Sequence, residues 1–397
     1  MDWQIKKLGD IFQIERGGSP RPIERFLTTD KDGINWIKIG DTKKVTKYIY
    51  KTEEKIKPSG LKKTRLVHDG DFILSNSMSF GRPYIMRTTG AIHDGWLVLR
   101  EKLPGINKDF FYYLLGSPVV FEQFDSLAAG STVRNLNTKL VSNVEVSFPS
   151  LTEQKRVVNT LDEIFEKVAA ARESAEKNLK NSQELFESYL QSVFANPGKS
   201  WGEKRLGEVC DIQNGYAFSS KDYANNGLRV IRIGNVQNGN IVDKRPKFVP
   251  DAFAKRVSDF VLQESDILIS LTGDVGRVGR ISKELLPAVL NQRVGRFFNF
   301  TNEVDIGYLF TILNSKKFEQ QVISASEGAA QKNTSTRKIK DIKINFPKSS
   351  MEQKAIVKKI DALSLETKKL EKIYEQKLAD LEELKKSVLQ RAFTGKL

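Results

Sequence analysis

Ser147–Lys167 reads SFPSLTEQKRVVNTLDEIFEK, and Asn345–Glu366 reads NFPKSSMEQKAIVKKIDALSLE. Each has Phe-Pro, a short polar gap, Glu-Gln-Lys, and then an apolar-periodic run with an Asp behind an apolar residue. Thr152 with Glu153, and Ser350 with Glu352, place oxygen acceptors and negative charge where orphan N–H groups and the helix dipole favour them. Beyond the first start a 3–4 alternation runs through Leu161, Phe165, Val168, Arg172, Ala175, Leu179, Ser182, Phe186, Tyr189 and Val193. The second copy continues through Ile360, Leu363, Thr367, Leu370, Tyr374, Lys377, Leu381, Leu384 and Val388. Asn196-Pro197-Gly198 and Thr394-Gly395 stop the two runs. Neither helix buries such a seam alone, so the pair is expected to pack antiparallel, each leading away from its own globular part. Roughly 44 residues at about 1.5 Å each make a rod of about 65 Å, a ruler between two similar modules.

The rest of the chain is duplicated too. IKKLGDIFQIERGG is echoed by EKRLGEVCDIQNG, matching Leu8-Gly9 to Leu206-Gly207. GINWIKIGDTKK is echoed by GLRVIRIGNVQN, and GDFILSNSMSFGRPYI by SDILISLTGDVGRVGRI. INWIKIG and LRVIRIG alternate as half-buried strands do, whereas DFILS and DILIS are continuous apolar runs suited to buried strands. KDFFYYLLGS and VDIGYLFTILNS read as short helices ending at Ser. The expected class is α+β: two mixed modules, 1–150 and 200–349, alternating with helices at 151–199 and 350–397 in a pseudo-two-fold tandem repeat.

Of 397 residues, 39% are hydrophobic and 28% charged, as in globular proteins with sizeable cores. The charge balance is unusual: 64 Lys+Arg against 49 Asp+Glu give +15, which suits a polyanionic partner. A lone cysteine, Cys210, excludes a disulfide framework and a thiolate metal cluster, and reads as a small core residue. No apolar segment approaches a membrane span and the start MDWQIKKLGD lacks a signal peptide's apolar core, so no membrane and a cytoplasmic location are expected. There is no Asn-Pro-Pro-aromatic motif, no Walker A and no His-Glu-x-x-His, and His68 and His93 are too few for a metal cluster. An acid–base pair of His93 with Asp94 has no counterpart in VLNQR of the other half, which favours a structural or base-reading role for IHDGW.

The candidates that remain suit a nucleic acid. GSTVRNLNTK and GAAQKNTSTRK each put short polar side chains before Arg-Asn or Lys-Asn. Arg134, Asn135, Lys139, Lys332, Asn333 and Arg337 are therefore candidate DNA contacts, since Arg and Lys grip phosphate or guanine and Asn reads adenine edges. The alternative is a solvated loop entering VEVSFP or IKINFP. Ser75, Asn76 and Ser77, with Thr272 opposite, are similar candidates. Arg82 and Arg277 follow a β run in a shared Gly-Arg: either a tight turn between strands, or an Arg set against the duplex. TKKVTK and KPSGLKKTR read as solvated faces that add to the phosphate field.

With Leu8-Gly9 and Leu206-Gly207, the Phe-Pro plus Glu-Gln-Lys helix starts, and the endings YLQSVFANPGK and VLQRAFTGKL in repeated order, the whole chain resembles the specificity (S) subunit of type I restriction-modification systems. The resemblance implies two target-recognition domains reading an interrupted, bipartite site on double-stranded DNA. It also implies two modification (M) subunits carrying S-adenosylmethionine and the adenine methyltransferase chemistry, and restriction (R) motor-nuclease subunits. This chain would itself be non-catalytic and hold no cofactor. The apolar residues left over on the helices, Ile164, Leu185, Leu190, Ile373 and Leu378, would then face a partner. The rival expectations are a stand-alone structural or regulatory DNA-bridging protein and an enzyme with an unrecognised site.

Overall fold

The computed structural model describes residues 3–43, 45–76, 80–128, 135–195, 197–326 and 333–397. The chain forms two compact units, Met1–Lys177 with Glu375–Leu397, and Asn178–Tyr374. The first carries strands β1 (Gln4–Lys7), β2 (Phe12–Arg16), β3 (Ile34–Ile37), β4 (Phe72–Ser75), β5 (Pro83–Met86), β6 (Gly90–Ile92), β7 (Trp96–Glu101) and β8 (Glu145–Phe148). Besides the single helical turn Leu8–Ile11, its helices include α1 (Lys108–Leu115), α2 (Pro118–Ala128), α3 (Thr138–Ser142) and the start of α4 (Leu151–Ala195). One five-stranded sheet runs β2-β7-β4-β5 and ends on Tyr48–Ile49. The other runs Leu27–Thr28, Glu54–Ile56, β3, β6 and Arg65–Val67, with β3 and β6 parallel. Every residue of β4 is buried, as its continuous apolar run requires.

The second unit repeats this order. Its strands are β9 (Trp201–Arg205), β10 (Asp211–Asn214), β11 (Leu228–Ile231), β12 (Ile267–Ser270), β13 (Val278–Arg280), β14 (Ala288–Leu290), β15 (Val294–Phe298) and β16 (Lys343–Pro347). Its helices are α5 (Ile306–Leu313), α6 (Lys316–Ala325), α7 (Thr336–Lys340) and the start of α8 (Ser350–Phe393). The sheets run β10-β15-β12-β13 with Gly239–Asn240, and Phe248–Val249 with β11-β14, again with a parallel central pair. Cys210 is buried here, which pushes its thiol up to about 12.

The repeated motifs have physical causes. β1 pairs with β8, and β9 with β16, so each module closes on the strand that feeds its long helix. Leu8 N–H donates to Val144 O at 2.9 Å and Leu206 N–H to Ile342 O at 2.8 Å. A Cβ on Gly9 would sit 2.9 Å from Ser142 Cβ, and one on Gly207 2.9 Å from Lys340 Cβ, so only glycine fits the approach. Gln154 and Gln353 are buried staples. Gln154 Oε1 accepts from Asn107 N–H and its Nε2 donates to Pro149 O, both at 2.9 Å. Gln353 Oε1 accepts from Asp305 N–H at 2.6 Å and its Nε2 donates to Pro347 O at 2.8 Å. The long helices begin at Leu151 and Ser350, but their capping residues differ from expectation. α4 begins at Leu151, which puts Thr152 inside the first turn, and at α8 the hydroxyl that faces Glu352 N–H is that of Ser349 rather than Ser350.

Within each unit the long helices pack antiparallel. In the first, Val158 and Leu161 share a core with Leu389 and Phe393, and Arg172 pairs with Glu382. In the second, Leu190 and Phe194 share a core with Ile360. Phe393 meets Phe110 at 5.2 Å, and Phe194 meets Tyr308 at 6.1 Å, each edge-on, so the end of each long helix seats in a module core. The polar interruptions Ser182 and Thr367 are buried and return their hydroxyls to Asn178 O and Leu363 O of their own helices. The expected seam is wrong at Leu370 and Leu384, which are exposed, and Leu190, expected outward, is buried. No helix among the described residues is long and apolar enough to cross a membrane.

Candidate nucleic-acid interface

Three chain segments meet in the same way in both units. The first is the turn from β4 to β5, and from β12 to β13. Ser75 N–H donates to Arg82 O at 3.0 Å and Gly81 N–H to Ser75 O at 2.9 Å, while Ser75 Oγ accepts from Arg82 N–H at 2.9 Å. The second unit matches: Ser270 N–H to Arg277 O at 2.9 Å, Gly276 N–H to Ser270 O at 3.0 Å, and Arg277 N–H to Ser270 Oγ at 3.1 Å. Gly81 and Gly276 have φ of 71° and 87°, a left-handed conformation that favours glycine just before the arginine. The tight-turn reading of the Gly-Arg motif holds, and the turn sets an arginine at its exit. Arg82 is exposed; Arg277 is half-buried and paired with Asp274 at 2.9 Å.

The second segment leads into α3 and α7. Leu136 N–H donates to Asn76 O and Thr334 N–H to Leu271 O, both at 2.9 Å, which locks the Asn135 and Asn333 positions against the two turns. Thr272 Oγ1 and Asn333 Oδ1 are bonded at 3.1 Å. Asn137 and Ser335 cap the short helices by accepting from Leu140 N–H and Lys338 N–H, and Lys139 and Arg337 stand exposed in them. Residues about sixty apart in sequence are therefore neighbours, and the described candidates fall into one cluster per unit. Ser75 and Asn76 lie buried beneath the cluster, so they shape it rather than stand out from it. Ser77, Arg134 and Lys332 lie outside the described residues.

The third segment precedes β7 and β15 and did not emerge as part of the cluster from sequence. Asn76 N–H donates to Gly95 O at 3.0 Å, as Leu271 N–H does to Arg293 O. Asn76 Nδ2 donates to Asp94 O at 2.8 Å, and its Oδ1 is buried without a partner among the described residues. Asp94 accepts from Ser19 Oγ at 2.7 Å, a bond that holds its carboxyl below the usual range. His93 Nδ1 faces Gly95 N–H at 2.6 Å and Nε2 faces Ile39 N–H at 3.1 Å. A neutral imidazole accepts at one nitrogen and an imidazolium at none, so this setting opposes the charged form, as does burial, which lowers the pKa. In the second unit Asn291 Oδ1 accepts from Arg293 N–H at 3.1 Å, the same bond to the residue two ahead. His93 thus ties the segment to the backbone N–H groups of Gly95 and Ile39. Beside it, Arg21, Pro22, Trp36, Lys38 and Glu54 help line an open cleft of about 850 Å³. In the second unit the rings of Tyr216 and Phe253 pack against Phe218.

The arrangement supplies hydrogen-bond donors and acceptors on rigid turns: cations for phosphate or guanine, and carboxamides for base edges. The model of the type I restriction modification DNA specificity domain matches residues 1–179 and 198–380. The type I restriction enzyme MjaVIII specificity subunit of Methanocaldococcus jannaschii is 25% identical over 100% of this chain and 93% of its own length. A chain from a structure of the type I R-M system, solved to explain complex assembly and conformational transition, superposes with a TM-score of 0.80 at 20% identity, covering 100% of this chain and 98% of that one. The HsdS subunit from Thermoanaerobacter tengcongensis superposes at 0.62 and 20% identity, covering 100% and 97%.

Proposed function

Since the chain belongs to the family of type I restriction modification DNA specificity domains, we propose that it is the non-catalytic reader of a bipartite, interrupted target on double-stranded DNA, each unit taking one half-site. The observation that carries this reading is the cluster built twice on the same backbone hydrogen bonds with different side chains. Asn76, His93 and Asp94 in one unit stand where Leu271, Asn291 and Gln292 stand in the other. A conserved frame with exchanged side chains is what two readers of unlike sequences need. Arg82, Asn135 and Lys139 would face one half-site, and Thr272, Arg277, Asn333 and Arg337 the other, with the paired helices holding the separation.

The partners in this reading are two modification subunits, which bring S-adenosylmethionine and methylate adenine, and restriction subunits that join for cleavage. Leu185, Leu365 and Ile373 in the second unit and Leu384 in the first stay exposed on the long helices, apolar surface of the kind a docked subunit covers. The test is a methylation map. The chain is co-expressed with the modification subunit encoded beside it in a methylation-free host, and the host DNA is sequenced for methyladenine. An interrupted two-part motif, absent when this chain is omitted, is expected. No new methylation from a well-expressed pair would favour a DNA-bridging protein that works without a methyltransferase.

A further inference from the structure

Arg232, Gly234, Asn235, Gln237, Lys244 and Arg245 enclose a cavity of about 340 Å³ in the second unit. The turn after β11 builds its wall. Buried Asn235 accepts from Arg232 N–H at 2.9 Å and donates to Val242 O and Asp243 Oδ1, both at 3.0 Å. Gly234 leaves the mouth open, since a Cβ there would meet nothing within 4 Å. Arg232 Nη2 donates to Arg245 O at 2.9 Å and so carries the loop that bears Lys244 and Arg245, while its Nε is buried without a partner. The carboxylate of that loop, Asp243, is committed to Arg229. Among the described residues Arg232, Lys244 and Arg245 form no ion pair, so the cavity has uncompensated positive charge. It borders the interface, because Ile233 of the same turn lies 3.8 Å from the Cβ position of Gly273, beside Thr272.

The matching turn of the first unit has lost this character. Lys38, at the position of Arg232, is paired with Glu54 at 2.5 Å. We propose that the cavity of the second unit is an oxyanion site that takes one backbone phosphate of the DNA, and that the first unit makes no such contact at its matching turn. The proposal rests on the DNA-reading function above. Guanidinium forks fit phosphate oxygens, and a phosphate neutralised by protein releases its counterions without carrying sequence information.

Salt dependence of binding tests it, using the full chain assembled with its modification subunit. Target duplex and unrelated duplex are titrated across a salt series with the wild type, Lys244→Gln/Arg245→Gln, and Lys38→Gln. Both cations in the double variant are exposed, so the fold is kept. The double variant is expected to bind both duplexes more weakly and to reduce the slope of log K against log salt by about one, with Lys38→Gln unchanged. An unchanged slope in the double variant, with wild-type binding intact, overturns the site and leaves the DNA-reading function standing. Loss on the target duplex alone assigns the residues to bases and also overturns it. If inorganic phosphate raises the melting temperature of the wild type but not of the double variant, and the DNA slope is unchanged, the cavity holds a free anion instead. A wild-type complex that binds neither duplex removes the DNA-reading function and this site with it.

Discussion

His93 and Asn291 occupy one position in the two halves and accept the same backbone N–H, from the residue two ahead, with different chemistry. The difference matters in acid. Burial lowers the pKa of His93 in the folded chain, so the unfolded chain takes up that proton first. Stability from keeping the ring neutral is therefore full above the ordinary value of 6.5 and falls as pH drops through it toward the lower folded value. His93→Asn, the residue nature uses in the other half, is expected to keep the fold and flatten this acid-side loss. Melting temperatures from about pH 5 to about pH 7.5 check it; equal acid sensitivity in the two proteins would rule the argument out. At this scale comparison of the halves led to the shared position of His93 and Asn291. The cleft beside His93 was not legible, because its walls come from Arg21, Trp36, Lys38 and Glu54, joined only by the sheet.

The Glu-Gln-Lys motif shows what is legible at the scale of an element. Sequence placed a helix start there, and read INWIKIG, LRVIRIG, DFILS and DILIS as strands and KDFFYYLLGS and VDIGYLFTILNS as short helices, while α2, α3, α6 and α7 went unread. It could not assign the glutamine, because the partners of Gln154 are Asn107 N–H, forty-seven residues away, and Pro149 O. Gln154→Ala leaves the buried Pro149 O and the half-buried Asn107 N–H without this partner and is expected to cost about 2 kcal/mol, and Gln353→Ala similarly in its own unit. Gln154→Glu still accepts from Asn107 but loses the donor to Pro149 O, so it also destabilises. Urea unfolding measures these losses, and wild-type midpoints for the alanine variants would show the staple to be idle. The seam was read less well for a related reason. Leu190 and Leu389 near the helix ends pack into module cores, whereas Leu370 and Leu384 face outward. A heptad drawn as though the two helices met only each other drifts out of phase there.

At the scale of the whole molecule, the duplication legible in the sequence has a consequence that linear boundaries conceal. The first compact unit takes Glu375–Leu397 from the far end of the chain, and Phe393 sits edge-on against Phe110 within its core. Exchange of residues 1–150 for a module of different specificity must therefore supply an equivalent aromatic seat. Where it does, the chimera is expected to methylate a target with one half-site changed and the other intact, because among the described residues the cluster around Thr272, Arg277 and Asn333 is anchored by hydrogen bonds internal to its own unit. Where the seat is removed, as in Phe110→Ala, the cost is a large core cavity, about 3–5 kcal/mol, felt first in the unit that holds it. Methyladenine sequencing of the chimera and urea unfolding of the point variant separate the two effects. A chimera that folds normally yet changes both half-sites together would mean that recognition is shared between the units. In that case the twice-built cluster reflects ancestry rather than two independent readers.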